Sequence, residues 1–535
     1  MKLKRGLFLL HRWLGIPLCL LFLLWFASGI VMMYTRLPAL DAKERLAGMR
    51  PINAALVKIS PEEACAKASL TEAPRRVRLA MRRDRPVYFI LPKGQKWLGV
   101  YADDGSALPL ATESEAARIA QQYLDAPTEP RFVATLPAID QWTLSNSLNL
   151  HRPLHKFAFH DEAATEIYVS QITGEVMVKT TRRERLLGYL GTITHYGEFL
   201  FIREHVAAWR QMMIWLAVAG TALALTGIIA GVMRYRRRGY RMGDGSVVKS
   251  PYRGWMKWHH VGGLIFGVMT LTWIVSGMLY LNPTGSRNPS ALDTQTTMSP
   301  YNVGGVRASN SPTARQSAAF SGGALEPALF KLDAGAALKQ ITASAPIREI
   351  ELLRFDGRPY YLCWADPYAS WLVAADSAES LRTHFDQSAL LTKAQQAVPE
   401  GRIVETTMLT DYDLYYMAIG SVAPRRLPML RVKFDDPEKT WLYIDPHTGG
   451  IARRYDSYGR GWRFVMNGLH TWDFLRYRPL WDVVMLALCA GGAILSGSAI
   501  VLSLRRLGIL KPAKSNNQRK REKEDVSEKV EEVVA

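Results

Sequence analysis

The chain has 535 residues, length for three or four ordinary domains, and an average hydrophobic share of 48%. Lys and Arg number 67 against 48 Asp and Glu, a formal net charge of +19, but the basic residues cluster beside apolar windows, which excludes nucleic acid as the reason for them. The four cysteines form no CxxC and no CxxCH, which excludes iron–sulfur ligation of that spacing and covalent haem attachment.

The first element is an uncharged window, Trp13 to Thr35, behind Lys2, Lys4, Arg5 and Arg12. A bilayer core takes about 20 such residues as helix, and in lipid the backbone must satisfy its own hydrogen bonds. Residues 1–35 are therefore predicted as transmembrane helix 1. The window is long for a cleaved signal peptide, and a near copy recurs at Trp258 to Asn282, where none can lie. Residues 36–185 follow as an α+β domain, with helix over Glu113 to Tyr123, strand over Glu166–Val169 and a turn at Ile172-Thr173-Gly174. Residues 186–210, apolar and aromatic, are expected as an interfacial helix, and 211–233 as transmembrane helix 2. The link 234–257 is strongly basic (Arg234, Arg236, Arg237, Arg238, Arg241, Lys249, Arg253, Lys257).

The order then recurs. Residues 258–282 are predicted as transmembrane helix 3. Residues 283–460 are a second α+β domain, with a Ser/Gly/Asn/Thr/Pro-rich mobile loop at 286–323, helix over Ala334 to Ile341 and strand over Thr440–Ile444. Residues 461–479 are a second interfacial helix, 480–504 transmembrane helix 4, and 505–535 a charged tail without aromatics, expected to be disordered. Short basic segments stay in the cytoplasm. Both termini are therefore placed there, and the two large segments outside, which in a bacterium is the periplasm. Cys65 and Cys363, both outside, either pair or are separate buried thiols.

The recurrence is visible residue by residue. Segment 152–200 aligns without a gap to 427–475 at an offset of 275, matching Phe159 to Phe434, Asp161 to Asp436, Tyr168 to Tyr443, Arg185 to Arg460 and His195 to His470. At an offset of 248, His11 matches His259, Gly15 matches Gly263, and Ser28-Gly29 matches Ser276-Gly277. The unit is helix, outside domain, helix, used twice, and such repeats imply a pseudo-symmetric membrane fold.

Two histidine pairs are kept in both copies. His11 and His259 lie at the cytoplasmic ends of helices 1 and 3. They are either boundary residues or a pair of imidazoles facing across the bundle as axial ligands of a b-type haem; His260 is an alternative to His259. His195 and His470 precede helices 2 and 4, either as satisfied interfacial residues or as a second such pair on the outer side. Each long helix also carries a small hydroxyl residue before a glycine: Ser28-Gly29, Thr226-Gly227, Ser276-Gly277 and Ser496-Gly497. These serve close helix packing or the approach of a flat macrocycle. Arg185 and Arg460 are either surface arginines or partners of haem propionates.

The stretch HRWLGIPLCLLFLLWFASG, the block beginning RPLHKFAFHDE and the block beginning FDDPEKTWLYID resemble the PepSY-associated transmembrane family over most of the chain. The resemblance implies a bacterial inner-membrane protein with two b-type haems in a four-helix core and PepSY-like periplasmic domains. By motif, the haem ligands it implies are His11, His195, His259 and His470. The activity implied is reduction of a periplasmic ferric siderophore, or another ferric chelate, with electrons from quinol or a cytoplasmic flavoprotein. Relatives with a fused flavin reductase differ from this chain, whose cytoplasmic parts are short and lack a GxGxxG fingerprint. The alternative is a PepSY membrane anchor that binds or inhibits a periplasmic peptidase without a cofactor. A solute transporter fits less well, since no helix carries a mid-membrane charge.

Overall fold

The computed structural model describes residues 2–241, 245–281, 313–341, 345–377, 381–416 and 426–510. Four helices are long and apolar enough to cross a membrane: Lys2–Met32, Val206–Arg234, Gly254–Tyr280 and Arg478–Arg506. All four run beyond their uncharged windows into charged flanks, because the helix goes on satisfying its own backbone past the apolar boundary.

The first helix packs on the second and fourth, and the third packs on the second and fourth, so the four close into a ring. Leu18, Phe22, Phe26, Ala217, Leu223, Met269 and Ile274 fill its interior. Leu20, Leu24, Trp215, Leu225, Ile265, Val268, Val483 and Ile494 face outward and are exposed, as a bundle solvated by acyl chains requires. Two arginines clasp the halves together. Arg210 Nε donates to Leu281 O (2.9 Å) and Arg478 Nη2 donates to Met33 O (3.1 Å). Each thus satisfies an open carbonyl at the C-terminal end of a helix from the other half.

The remaining elements stand at one end of the bundle. They are β1 (Arg76–Arg82), β2 (Arg85–Leu91), β3 (Leu98–Tyr101), β4 (Arg131–Leu136), β5 (Leu154–Ala158), β6 (Glu166–Ser170) and β7 (Val176–Thr180) in the first half. At the other end, the described residues of the basic link hold the short pair β8 (Tyr240–Arg241) and β9 (Val247–Val248). The second half adds β10 (Glu349–Phe355), β11 (Arg358–Trp364), β12 (Ser370–Ala374), β13 (Ile403–Leu409), β14 (Met429–Phe434), β15 (Trp441–Asp445) and β16 (Gly450–Tyr455). Strands β4 to β7 form one four-stranded sheet and β13 to β16 another.

The other six strands correct the expectation of two self-contained domains. They make a single sheet, β12-β11-β10-β1-β2-β3, whose centre is the antiparallel β1–β10 pair. Alternation explains that joint. Val77, Leu79, Ile350 and Leu352 point to a shared core and each fully buried side chain of this size stabilises by about 1.5–3 kcal/mol. The opposite face carries charge, Arg76 and Arg78 from β1 against Glu349 and Glu351 from β10, paired at 2.7 Å (Arg78–Glu349) and 2.5 Å (Arg76–Glu351). Arg45 adds a second contact to Glu349 at 2.9 Å, and Glu175 one to Arg78 at 3.0 Å. A strand of this pair set against its own copy would oppose like charges, so the charge pattern selects the β1–β10 partnership.

Local expectations are met at β6, at β15 and at the helices Glu113–Leu124 and Ala334–Lys339. The turn glycines Gly174 and Gly449 have φ of +68° and +65°. Cys65 and Cys363 are separate buried thiols. Of the loop expected at 286–323, residues 286–312 lie outside the described residues, and Ala314–Ser321 is a helix with a Thr313–Gln316 capping box. The fourth helix carries the start of the expected tail as far as Arg506, and 511–535 lie outside the described residues.

The two predicted interfacial helices are also corrected. Neither is one continuous helix. Arg182–Gly188 passes through a π-helical turn at Tyr189–Ile193 into Thr194–Tyr196, and Ser457–Arg463 passes through a π turn at Phe464–Gly468 into Leu469–Thr471. Each stops at a left-handed residue, Gly197 (φ +61°) and Trp472 (φ +51°).

Candidate functional site

The four repeat-related histidines form two pairs, each combining one residue from either half. His11 and His259 have ring centroids 6.1 Å apart, and His195 and His470 6.3 Å apart. The planes meet at 42° in the first pair and 86° in the second.

The first pair sits on regular helix. His11 lies in the first long helix and His259 in the third, opposite members of the ring. The second pair is brought in by the interrupted segments. A π turn inserts one residue into the helical repeat, and the left-handed residue behind each histidine then turns the chain back. That sets His195 against the first long helix and His470 against the third, through contacts to Ser28 and Ser276.

Every ring is held through Nδ1. His11 Nδ1 donates to Leu223 O at 3.1 Å, with Thr226 Oγ1 at 3.4 Å. His470 Nδ1 donates to Trp273 O at 3.2 Å and lies 2.9 Å from Ser276 Oγ. His195 Nδ1 lies 3.1 Å from Ser28 Oγ, and His259 Nδ1 3.2 Å from Ser498 Oγ. Ser28 and Ser498 donate their own protons to Leu24 O (2.6 Å) and Leu495 O (2.6 Å), so these two imidazoles are the donors as well. All four rings therefore carry the proton on Nδ1 and keep the Nε2 lone pair. A metal-binding histidine uses such a bond from its other ring nitrogen to fix its tautomer and orientation.

The spacing tests the fit to haem directly. An imidazole nitrogen binds a first-row metal at about 2 Å, and its ring centroid lies about 1.1 Å farther, so two imidazoles trans across one iron have centroids about 6.2 Å apart. Both pairs match that figure. Among the described residues no group of three or more His, Cys, Asp or Glu gathers into a bare metal-ion site.

The hydroxyl–glycine pairs serve the histidines in three cases. Ser28, Thr226 and Ser276 contact His195, His11 and His470. A Cβ on the following glycine would lie 3.9 Å from His195 Cε1 at Gly29, 2.7 Å from His11 Cε1 at Gly227 and 3.7 Å from His470 Cε1 at Gly277. The fourth differs: Ser496 bonds Gly492 O within its own helix, and Ser498, two residues on, takes the contact to His259. Sequence reasoning missed Ser498 because the repeat points to Ser496. A second hydroxyl on the same helix was the available signal.

His260 is turned elsewhere. Its Nε2 donates to Gly231 O (2.9 Å) and its Nδ1 accepts from Ser250 Oγ (2.9 Å), so both nitrogens are engaged and His259 is the one facing His11.

Arg185 and Arg460 each bond a loop of their own sheet. Arg185 Nη2 donates to Ala164 O (2.8 Å) and Arg460 Nη1 to Lys439 O (2.6 Å), matching left-handed residues at φ +47° and +52°. These bonds fasten the β5–β6 and β14–β15 loops to the helices that follow.

A family model described as the PepSY-associated TM region matches residues 8–506, which include all four histidines. No curated protein matches the chain.

Proposed function

The chain belongs to the PepSY-associated transmembrane family, and from that premise we propose that it is a di-haem b electron-transfer protein of the bacterial inner membrane. In this reading both termini are cytoplasmic and the sheets are periplasmic PepSY-like modules, the orientation that the basic link and flanks favour. The activity is reduction of a periplasmic ferric siderophore or similar ferric chelate, with electrons from quinol or a cytoplasmic flavoprotein. Ferrous iron binds hard oxygen donors more weakly, so reduction releases it for uptake.

The observation that carries this reading is the double coincidence in each histidine pair: a ring separation that would let both imidazoles hold one iron, and Nδ1 protons already committed. His11 and His259 would hold the inner haem, His195 and His470 the outer one. When bound, haem supplies reversible one-electron chemistry. The chain supplies the rest. Leu223 O, Ser28, Ser276 and Ser498 orient the rings, so that each presents a neutral nitrogen without rotating freely. The apolar interior keeps water from the ligands. Gly29, Gly227 and Gly277 keep the space beside the rings clear of side chains.

The test is an absorbance spectrum of purified protein from haem-replete cells, before and after dithionite, with haem extracted and counted. About two b-type haems per chain are expected, one for each histidine pair. Alanine at His195 or His470 should remove one haem and abolish ferric-chelate reduction. Colourless wild-type protein would sink the proposal and favour the cofactor-free peptidase anchor.

A further inference from the structure

Along the first helix His11 and Ser28 are 17 residues apart, about 25 Å at 1.5 Å per residue. An electron passing between the two histidine layers has that interior to cross, and tunnelling slows steeply with each added ångström of saturated path. Both halves place aromatic side chains in this interior, Phe22, Trp25 and Phe26 on the first helix and Phe266 and Trp273 on the third. Trp273 has its ring centroid 6.3 Å from that of His470 and 5.9 Å from that of Phe26. It precedes Ser276 on the third helix, so it stands on the face of the His195–His470 layer turned toward the other pair. Its backbone carbonyl also accepts the His470 Nδ1 proton, at 3.2 Å.

The packing holds this contact in place. Phe26 is buried against Gly492, where a Cβ would come within 2.4 Å of its ring. Trp25, the repeat counterpart of Trp273, is used differently: its Nε1 donates to His195 O at 3.0 Å, and its ring stacks on Phe22 at 5.7 Å. The Trp273 indole N–H is buried with no hydrogen-bond partner among the described residues. What the structure gives this indole is ring contact, with His470 on one side and Phe26 on the other.

We propose that Trp273, backed by Phe26, is the relay through which electrons reach the His195–His470 layer, so that transfer enters the outer site through the second half of the molecule. This rests on the di-haem reading. One electron leaves the inner iron, which goes from ferrous to ferric, and one ferric iron in the outer layer becomes ferrous. No bond is made and no proton moves.

The experiment uses the full chain in sealed proteoliposomes with the basic end outward. Dithionite, which does not cross the bilayer, is added outside, and reduction is followed at the haem α bands. The inner layer is reduced first and the outer layer in a second phase. Trp273→Leu should slow the second phase about tenfold, equivalent to about 1.4 kcal/mol of barrier. The first phase, the haem count and both midpoint potentials should stay as in wild type. Trp273→Phe, which keeps a ring, should leave the second phase nearly unchanged. A second phase of wild-type rate in Trp273→Leu overturns the proposal. So does loss of the outer haem or a shifted outer potential in that variant, since Trp273 would then be only a packing residue. Absence of haem from the wild type refutes the di-haem reading itself and is told apart by the haem count.

Discussion

The two halves of the chain build the same elements from different residues. The interrupted helices begin at Arg182 and Ser457 and reach their π turns at Tyr189 and Phe464, both 275 residues apart. Yet the central strand of one half is basic where its counterpart is acidic, with Arg76 and Arg78 on β1 facing Glu349 and Glu351 on β10. Gly197 stops one interrupted helix and Trp472 the other. Gly227 is pressed against His11 while Gly497 has open space. Backbone geometry can be shared between copies, but a contact between copies has to be complementary, and complementarity requires that they diverge.

The charge joint is where that divergence is easiest to break. Glu349→Gln leaves Arg45 and Arg78 facing a neutral amide in a buried site, and should lower unfolding stability by about 3–5 kcal/mol, read by denaturant titration in detergent. Replacing Arg78 and Glu349 together by Met should recover most of the loss, because the remaining Arg45 and Glu175, 3.7 Å apart, still balance each other. If the double variant is as weak as the single one, the joint is held by shape and not by charge.

Acid probes the same contrast more gently. Burial alone would raise the Glu175 carboxyl, but the adjacent Arg78 guanidinium outweighs it and Glu175 is pulled down to about 2. Glu349 is likewise held well below the carboxylate range, burial being overcome by Arg45 and Arg78. Both folded values lie below the unfolded one. The stability they contribute is therefore complete above the ordinary glutamate pKa of about 4.3. It is lost as the pH falls from there through about 2, the folded value of Glu175. Unfolding stability followed over this range should fall with a gentler slope in Glu349→Gln, where one of the two protonations is gone. An unchanged slope would remove Glu349 from the account.

The glycines give the sharper comparison within the bundle. Gly227→Ala would bring a Cβ to 2.7 Å from His11 Cε1, and should cut haem from about two to about one per chain. Gly497→Ala meets nothing within 4 Å and should leave the count unchanged. Equal loss in both variants would mean that the fourth helix shifts to crowd its layer. The smallest effect is expected at Gly197→Ala, which places a side chain at φ +61° and should cost about 1–2 kcal/mol, measured as a lower unfolding midpoint. The second half already carries a side chain in that conformation at Trp472.

Much of the fold was legible because its signals are local. Uncharged windows longer than a bilayer needs mark the helices. The hairpin glycines and helix caps mark β6, β15 and the helix from Glu113. The histidines stood out because two copies kept them. Arg185 and Arg460 were kept too and proved to hold loops at Ala164 and Lys439. Retention in both copies therefore identifies a shared task without saying which. The π turns were not legible, since an inserted residue leaves the sequence as apolar and aromatic as a regular helix would.

The amino-acid order by itself determined four membrane helices, a duplicated plan and four histidines at matching places, because hydropathy and periodicity act along the chain. Only the tertiary structure decided that His11 meets His259, that His195 meets His470, and that Ser498 replaces Ser496. It also decided that β1 and β10 fuse the two modules into one sheet. Those outcomes depend on which faces meet when helices from different halves pack into a ring, and on where a left-handed residue turns the chain. Such contacts join residues distant in the chain, such as Arg478 and Met33, 445 positions apart.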